Sequence, residues 1–175
     1  MKVVLAGATG FIGKALTKRF LSSGSEVVVL SRSAPKVVRA FDRKTLVPWD
    51  GKSAGEWEEY LNGADAVINL AGENIAAKRW SEQQKHRILS SRIDTTCLLV
   101  QAIKNASAKP RVFLNASAVG YYGDVPEGEV TEASPPGKGF LADVCQHWED
   151  SAMRAERSGV RTVTPRFGLV LEKDG

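Results

Sequence analysis

Short apolar runs alternate with amphipathic stretches along most of the chain. Residues 3–6 (Val-Val-Leu-Ala) form the first run, and residues 26–30 carry the second, Val27-Val28-Val29-Leu30. Runs of this length without polar alternation predict strands buried on both faces. Between them, residues 11–22 set Phe11, Ile12, Ala15, Leu16 and Phe20 on one side, with Lys14, Lys18 and Arg19 on the other. That is the period of a surface helix, and Ser23-Gly24 ends it.

Residues 33–64 are less regular. Residues 47–50 (Val-Pro-Trp-Asp) read as a short edge strand, because proline is disfavoured in a central one. Residues 56–61 predict a short helix and residues 66–70 a strand, which Ala71-Gly72 breaks. A long helix follows over residues 81–105, with Ser81 and Gln84 spaced as a capping box. Residues 111–115 read as a strand, residues 120–139 as a Gly/Pro-rich loop, 141–158 as a helix and 162–165 as a strand. Strands alternating with helices predict an α/β fold, a Rossmann-type doubly wound parallel sheet with helices on both faces, in one domain over residues 1–175.

Composition changes this picture little. A chain of 175 residues buries a core large enough to need neither metal nor disulfide. The excess of 24 Lys and Arg over 20 Asp and Glu is spread along the chain, which suits either a phosphate-bearing ligand or a solvated surface. No basic run is dense enough to predict a nucleic acid as partner. Cys97 and Cys145 fall in predicted helices without a CxxC or zinc spacing, so free thiols in a reducing cytosol are expected. The apolar run after Met1-Lys2 stops at Gly7, too short for a signal segment or a membrane span. A cytoplasmic protein without membrane association is the expectation.

Candidate chemistry begins at the first strand–helix junction. Gly7-Ala8-Thr9-Gly10-Phe11-Ile12-Gly13 reads GxxGxxG between a predicted strand and a predicted helix, the context that makes a glycine pattern a dinucleotide fingerprint. Gly7 permits the tight turn, Gly10 lets the backbone approach a pyrophosphate, and Gly13 lets the helix pack on the strand. The free N–H groups at the helix start, with Thr9, Phe11 and Ile12 around them, hold the anion. At the end of the second strand stands Leu30-Ser31-Arg32-Ser33, without the acidic residue that would bind the ribose of NAD. Arg32 can pair with a 2′-phosphate and Ser31 adds a donor, so the expected cofactor is NADP; the alternative is a solvent-facing arginine. Leu70-Ala71-Gly72-Glu73 follows another strand, where it is expected to pass the cofactor's ribose.

Residues 7–13 (GATGFIG), 69–72 (NLAG), 115–123 (NASAVGYYG) and 165–168 (PRFG) together resemble extended short-chain dehydrogenases/reductases. More narrowly, NLAGEN at 69–74, KRW at 78–80 with Ser91-Arg92, and SAVGYYG at 117–123 resemble an atypical subgroup known as epimerase-family, NAD-dependent epimerase/dehydratase-like proteins. In the wider family a Ser or Thr after the fifth strand and a Tyr-x-x-x-Lys pair on the next helix carry the chemistry. Ser117 matches the serine. The pair falls near Phe140-Leu141-Ala142-Asp143-Val144, where neither residue is present. Tyr121 or Tyr122 could supply the phenol, or either could be a stacking wall.

Lys78, Arg79 and Arg92 could place cations near a phosphate or an acidic substrate, or could belong to a solvated helix entrance with Trp80 as a staple. His86 is expected to be exposed, and His147 to pack beside Trp148. Asp124 and Glu127 read as turn residues, and Glu73 as either a cofactor contact or a turn cap. The resemblance implies a further substrate-binding portion after the Arg-x-Gly strand, so a C-terminally shortened form is expected at Gly175. Core residues left exposed there would favour a homodimer. Two functions stay open. One is an NADP(H)-binding atypical reductase or nucleotide-sugar epimerase-like enzyme with a small-molecule substrate that the residues do not specify. The other is a non-catalytic, NADP-binding redox-sensing module acting through a protein partner.

Overall fold

The computed structural model of the chain describes residues 1–33 and 39–171, with residues 39–41 described by their backbone alone. The strands are β1 (Lys2–Ala6), β2 (Glu26–Ser31), β3 (Arg39–Phe41), β4 (Lys44–Pro48), β5 (Ala66–Asn69), β6 (Val112–Asn115), β7 (Ser117–Ala118), β8 (Arg161–Val163) and β9 (Arg166–Phe167). The helices are α1 (Phe11–Ser22), α2 (Glu82–Asn105) and α3 (Phe140–Met153). Tight 3₁₀ turns lie at Glu56–Leu61, Val119–Tyr122 and Arg154–Ser158.

Among the described residues, seven strands form one sheet in the order β3-β4-β2-β1-β5-β6-β8. All neighbours run parallel except β3, which is antiparallel to β4. β1 lies at the centre, with Leu5 level with Val29 on one side and Ile68 on the other. Chain order reverses on either side of it, which leaves a crevice at the carboxyl ends of β1 and β5.

The unbroken apolar runs follow from that position. Alternate residues of one strand serve opposite cores. Val4, Val28, Val67 and Phe113 face α2, α3 and the 3₁₀ turn through Leu99, Ile103, Ala152 and Leu61. Val3, Leu5, Val27 and Ile68 face α1 through Leu16 and Phe20. Each such buried side chain contributes about 1.5–3 kcal/mol of transfer free energy.

Three elements differ from expectation. The segment around residue 47 is not an edge: β4 lies between β3 and β2. Pro48 is tolerated because it is the last residue of β4, two beyond Leu46, the last to pair with β3. The predicted helix at 141–158 ends at Met153 and continues as a 3₁₀ turn closed by Gly159 at φ 76°. The last predicted strand of the sheet lies one residue earlier, at Arg161–Val163. Residues 172–175, where the sequence suggests a further segment, lie outside the described residues. Ser81 caps α2 by accepting from Gln84 N at 3.3 Å, while the Gln84 side chain turns to Glu73 at 3.5 Å instead of closing the box. No helix among the described residues is long and apolar enough to cross a membrane.

Candidate functional site

Gly7, Gly10 and Gly13 do three different things. Gly7 has φ 80°, and a Cβ there would stand 2.6 Å from the Leu70 carbonyl carbon, so it sets both the turn and the close pass of the β1 and β5 ends. A Cβ on Gly13 would collide with the Gly7 carbonyl oxygen and with Ala8, so this glycine seats α1 against β1. A Cβ on Gly10 would meet only the Gly7 oxygen, at 3.4 Å. Gly10 caps α1 without any side-chain hydrogen bond, and the first backbone bond back to it comes from Lys14. The N–H groups of the first turn therefore have no partner from within the helix. Phe11 is exposed, Ile12 half-buried and Gly13 buried.

A cleft of about 820 Å³ opens beside the helix start, lined there by Gly7, Thr9 and Gly10. That is within the roughly 300–1,000 Å³ span of ligand sites. Thr9, Ser31, Arg32, Leu70, Ala71, Gly72 and Glu73 line it, bringing the residues expected from three separate motifs together. Ser31 is buried and its hydroxyl pairs with Ser33 Oγ at 3.0 Å and accepts from Ser33 N at 3.2 Å, leaving Arg32 exposed at the tip of a fixed turn. An uncapped helix start beside a cleft that ends on an arginine offers N–H donors and a guanidinium to a phosphate-bearing dinucleotide.

The 70–73 rim is held from below. Asn69, Thr96 and Asn115 are fully buried. Asn69 Nδ2 donates to Asn115 Oδ1 at 2.7 Å and to Thr96 Oγ1 at 3.0 Å. The Thr96 hydroxyl donates to Asn115 Oδ1 and accepts from Trp148 Nε1 at 2.9 Å. Asn69 Oδ1 accepts from Ala71 N, which turns the chain out of β5. Glu73 N donates to Ser91 Oγ at 2.9 Å, and Arg92 Nη1 donates to the Glu73 carbonyl at 3.1 Å.

Arg92 is thus a brace on the Glu73 and Ile88 carbonyls, neither the ligand-facing cation nor the solvated side chain that the sequence left open. It also stacks near Trp148 at 5.1 Å, and burial pushes its very high pKa down. Lys78 and Arg79 are exposed. Trp80 donates its indole N–H to Ile75 O at 2.7 Å and lies edge-on to Phe140 at 5.6 Å. His86 is exposed as expected; His147 is exposed too, its Nδ1 on the Asp143 carbonyl, so it does not pack.

The second cluster surrounds Ser117, which is buried. Its hydroxyl donates to Glu149 Oε1 at 2.5 Å. Arg166 meets the same carboxylate with Nε and Nη2, both at 2.9 Å, and donates from Nη1 to Tyr122 Oη at 2.9 Å. The Tyr121 ring lies against the guanidinium, 3.4 Å from its centroid, edge-on to Tyr122. The Glu149 hydrogen bonds push the Arg166 pKa still higher, so its charge is permanent. The serine thus faces a carboxylate, the Tyr121 ring stacks on the Arg166 guanidinium, and the Tyr122 hydroxyl accepts from it. Glu149 belongs to no sequence motif, and Arg166 is signalled only as the arginine of PRFG at 165–168.

Sequence reasoning also missed the turn at Trp49, Asp50, Gly51 and Lys52, which lines the cleft beside Arg32. Its signal was its place directly after a strand's carboxyl end. Assigning residues 47–50 to a strand hid it. Among the described residues no group of His, Cys, Asp and Glu could hold a metal ion.

Residues 3–168 match the NAD dependent epimerase/dehydratase family. A chloroplastic epimerase family protein, the SDR39U1 homolog of Arabidopsis thaliana, is 42% identical over all of this chain and half of its own length. Epimerase family protein YfhF of Bacillus subtilis is 38% identical over all of this chain and 57% of its own. The crystal structure of human epimerase family protein SDR39U1 with NADPH superposes with a TM-score of 0.82 at 35% identity, over 100% of this chain and 56% of that one. The chain spans about half the length of the relatives it matches. With the glycine turn, the crevice at the strand ends and this match in agreement, the chain belongs to the NAD dependent epimerase/dehydratase family.

Proposed function

We propose that the chain binds NADP(H) and forms the cofactor half of an oxidoreductase or epimerase-like enzyme acting on a small molecule. The observation that carries this is the uncapped start of α1 at Gly10, open to a cleft that ends on Arg32. The NADPH in the human relative supports the choice of nucleotide. First-turn N–H groups bind the pyrophosphate, Arg32 with Ser31 reads the 2′-phosphate, and Leu70 to Glu73 border the ribose. A bound NADP(H) supplies hydride transfer.

Tyr122 stands in for the phenol of the missing Tyr-x-x-x-Lys pair. Its oxygen accepts from Arg166, so its own O–H is free to reach a substrate oxygen while the guanidinium steadies the charge left behind. Arg166 in this way takes the electrostatic part of the lysine. One observation favours the redox-sensing alternative: the Ser117 hydroxyl is bound to Glu149.

The test begins with the cofactor. Affinities for NADPH and NADH are compared in the wild type and Arg32→Ala; a preference for NADPH that vanishes in the variant is expected, and an unchanged preference removes Arg32 from the site. NADPH oxidation is then followed against a panel of carbonyl compounds. Turnover lost in Tyr122→Phe at unchanged NADPH affinity supports the enzyme, and tight NADPH without any turnover supports the sensing module.

A further inference from the structure

Lys52 has no assigned role, yet it shares the cleft with Arg32. β2 and β4 are adjacent and in register, with Ser31 level with Pro48, and Trp49 N donates to Ser31 O at 3.1 Å. The Arg32 turn and the turn at residues 50–53 therefore leave neighbouring strands side by side, at strand centres roughly 4.8 Å apart.

The second turn is rigid. Asp50 Oδ1 accepts from Lys52 N at 2.8 Å and from Ser53 N at 2.9 Å. Gly51 has φ 74°, and a Cβ there would stand 3.1 Å from Thr95 Cγ2, so the turn sits against α2. Asp50 Oδ1 is taken up by its own turn's backbone, and among the described residues the carboxylate forms no salt bridge with Lys52. Among the described residues, neither Lys52 Nζ nor the Arg32 guanidinium has a carboxylate within salt-bridge distance. Arg87, Asp50, Glu73 and Asp94 also line the cleft, but Arg32 and Lys52 are the two cations carried on these adjacent turns, where an anion can join them.

We propose that Lys52 is the second cation of the 2′-phosphate site and sets NADP specificity together with Arg32. The inference rests on the NADP reading above. A guanidinium grips the phosphate through its planar fork, and the ammonium completes it as a point charge from the neighbouring turn.

Dissociation constants of NADPH, NADH, 2′,5′-ADP and 5′-ADP are measured for the wild type, Lys52→Ala, Lys52→Arg and Arg32→Ala. Lys52 is exposed, so the variants fold, which circular dichroism checks. Lys52→Ala should weaken NADPH and 2′,5′-ADP about tenfold, the loss of one charge-assisted hydrogen bond, and leave NADH and 5′-ADP unchanged. Lys52→Arg should restore most of the loss. An equal loss for all four ligands would assign Lys52 to the turn and overturn the proposal, as would no loss at all. If Arg32→Ala still collapses the preference while Lys52→Ala is silent, Lys52 alone falls. If Arg32→Ala is silent too, the NADP reading falls with it.

Discussion

Arg166 and Glu149 meet through two parallel hydrogen bonds of 2.9 Å, and the same carboxylate receives the Ser117 hydroxyl. The pair joins β9 to α3, with side chains only 16% and 11% exposed. Removing one partner strands the other charge. Glu149→Ala should lower stability by about 3–5 kcal/mol, whereas Ser117→Ala should cost about 0.5–1.5 kcal/mol. Urea unfolding of both variants checks the ranking, and equal losses would mean that the ion pair is not the dominant contact.

Two glycines of one motif should fail in opposite ways. Gly13→Ala drives a methyl group into the Gly7 carbonyl and should destabilise the fold by about 1–3 kcal/mol. Gly10→Ala has room and an ordinary φ of −75°, so stability should stay within about 0.5 kcal/mol. If Gly10 passes the pyrophosphate as proposed, the added methyl group would crowd that group, and NADPH affinity should fall about tenfold or more. Thermal melts with and without NADPH separate the two.

Thr96→Val keeps the shape of the buried knot but removes its hydroxyl. Trp148 Nε1 then loses its acceptor, and a loss of about 1–3 kcal/mol is expected for an unsatisfied buried donor. The reporter is direct: the Trp148 indole resonance in a ¹⁵N spectrum should move, and a spectrum identical to wild type would exclude that bond.

Stability should also depend on acid through Asp50. The Lys52 N–H, and after it the Ser53 N–H, holds its carboxyl below the ordinary 3.8. A depressed folded pKa favours the folded state fully above the unfolded value, and the contribution disappears as pH falls through the folded one. Asp50→Asn should therefore flatten the part of the stability curve below about pH 4 that this group supplies. Denaturation at a series of pH values from neutral to strongly acidic tests this, and an unchanged acid limb would refute it.

Much of the fold was legible because each core strand carries its own period. Val27-Val28-Val29-Leu30 can only be a strand covered twice, and the α1 stripe can only face one sheet. The cleft was partly legible: GxxGxxG and Arg32 are local signals, separated by one helix and one strand. What stayed hidden depends on residues far apart in sequence. Nothing near Glu149 announces Arg166, or that the Ser117 hydroxyl would turn toward the carboxylate they share. Arg92 misled for the same reason, since a cation becomes a brace only through the carbonyl of Glu73, nineteen residues away. The turn after Pro48 is hidden because proline reads as the mark of an edge strand, whereas here it is the last residue of β4.

The knot of Asn69, Thr96, Asn115 and Trp148 lies directly beneath the crevice and ties β5 and β6 to α2 and α3. Its amides should exchange with deuterium only through global unfolding, while those of the 70–73 and 50–53 rims open far more often. On the proposed NADP(H) reading, the nucleotide would then leave over the rim and not by local melting of the floor. Variants should accordingly divide into those that alter how long the cofactor stays and those that alter how long the fold lasts, with little overlap between the two groups.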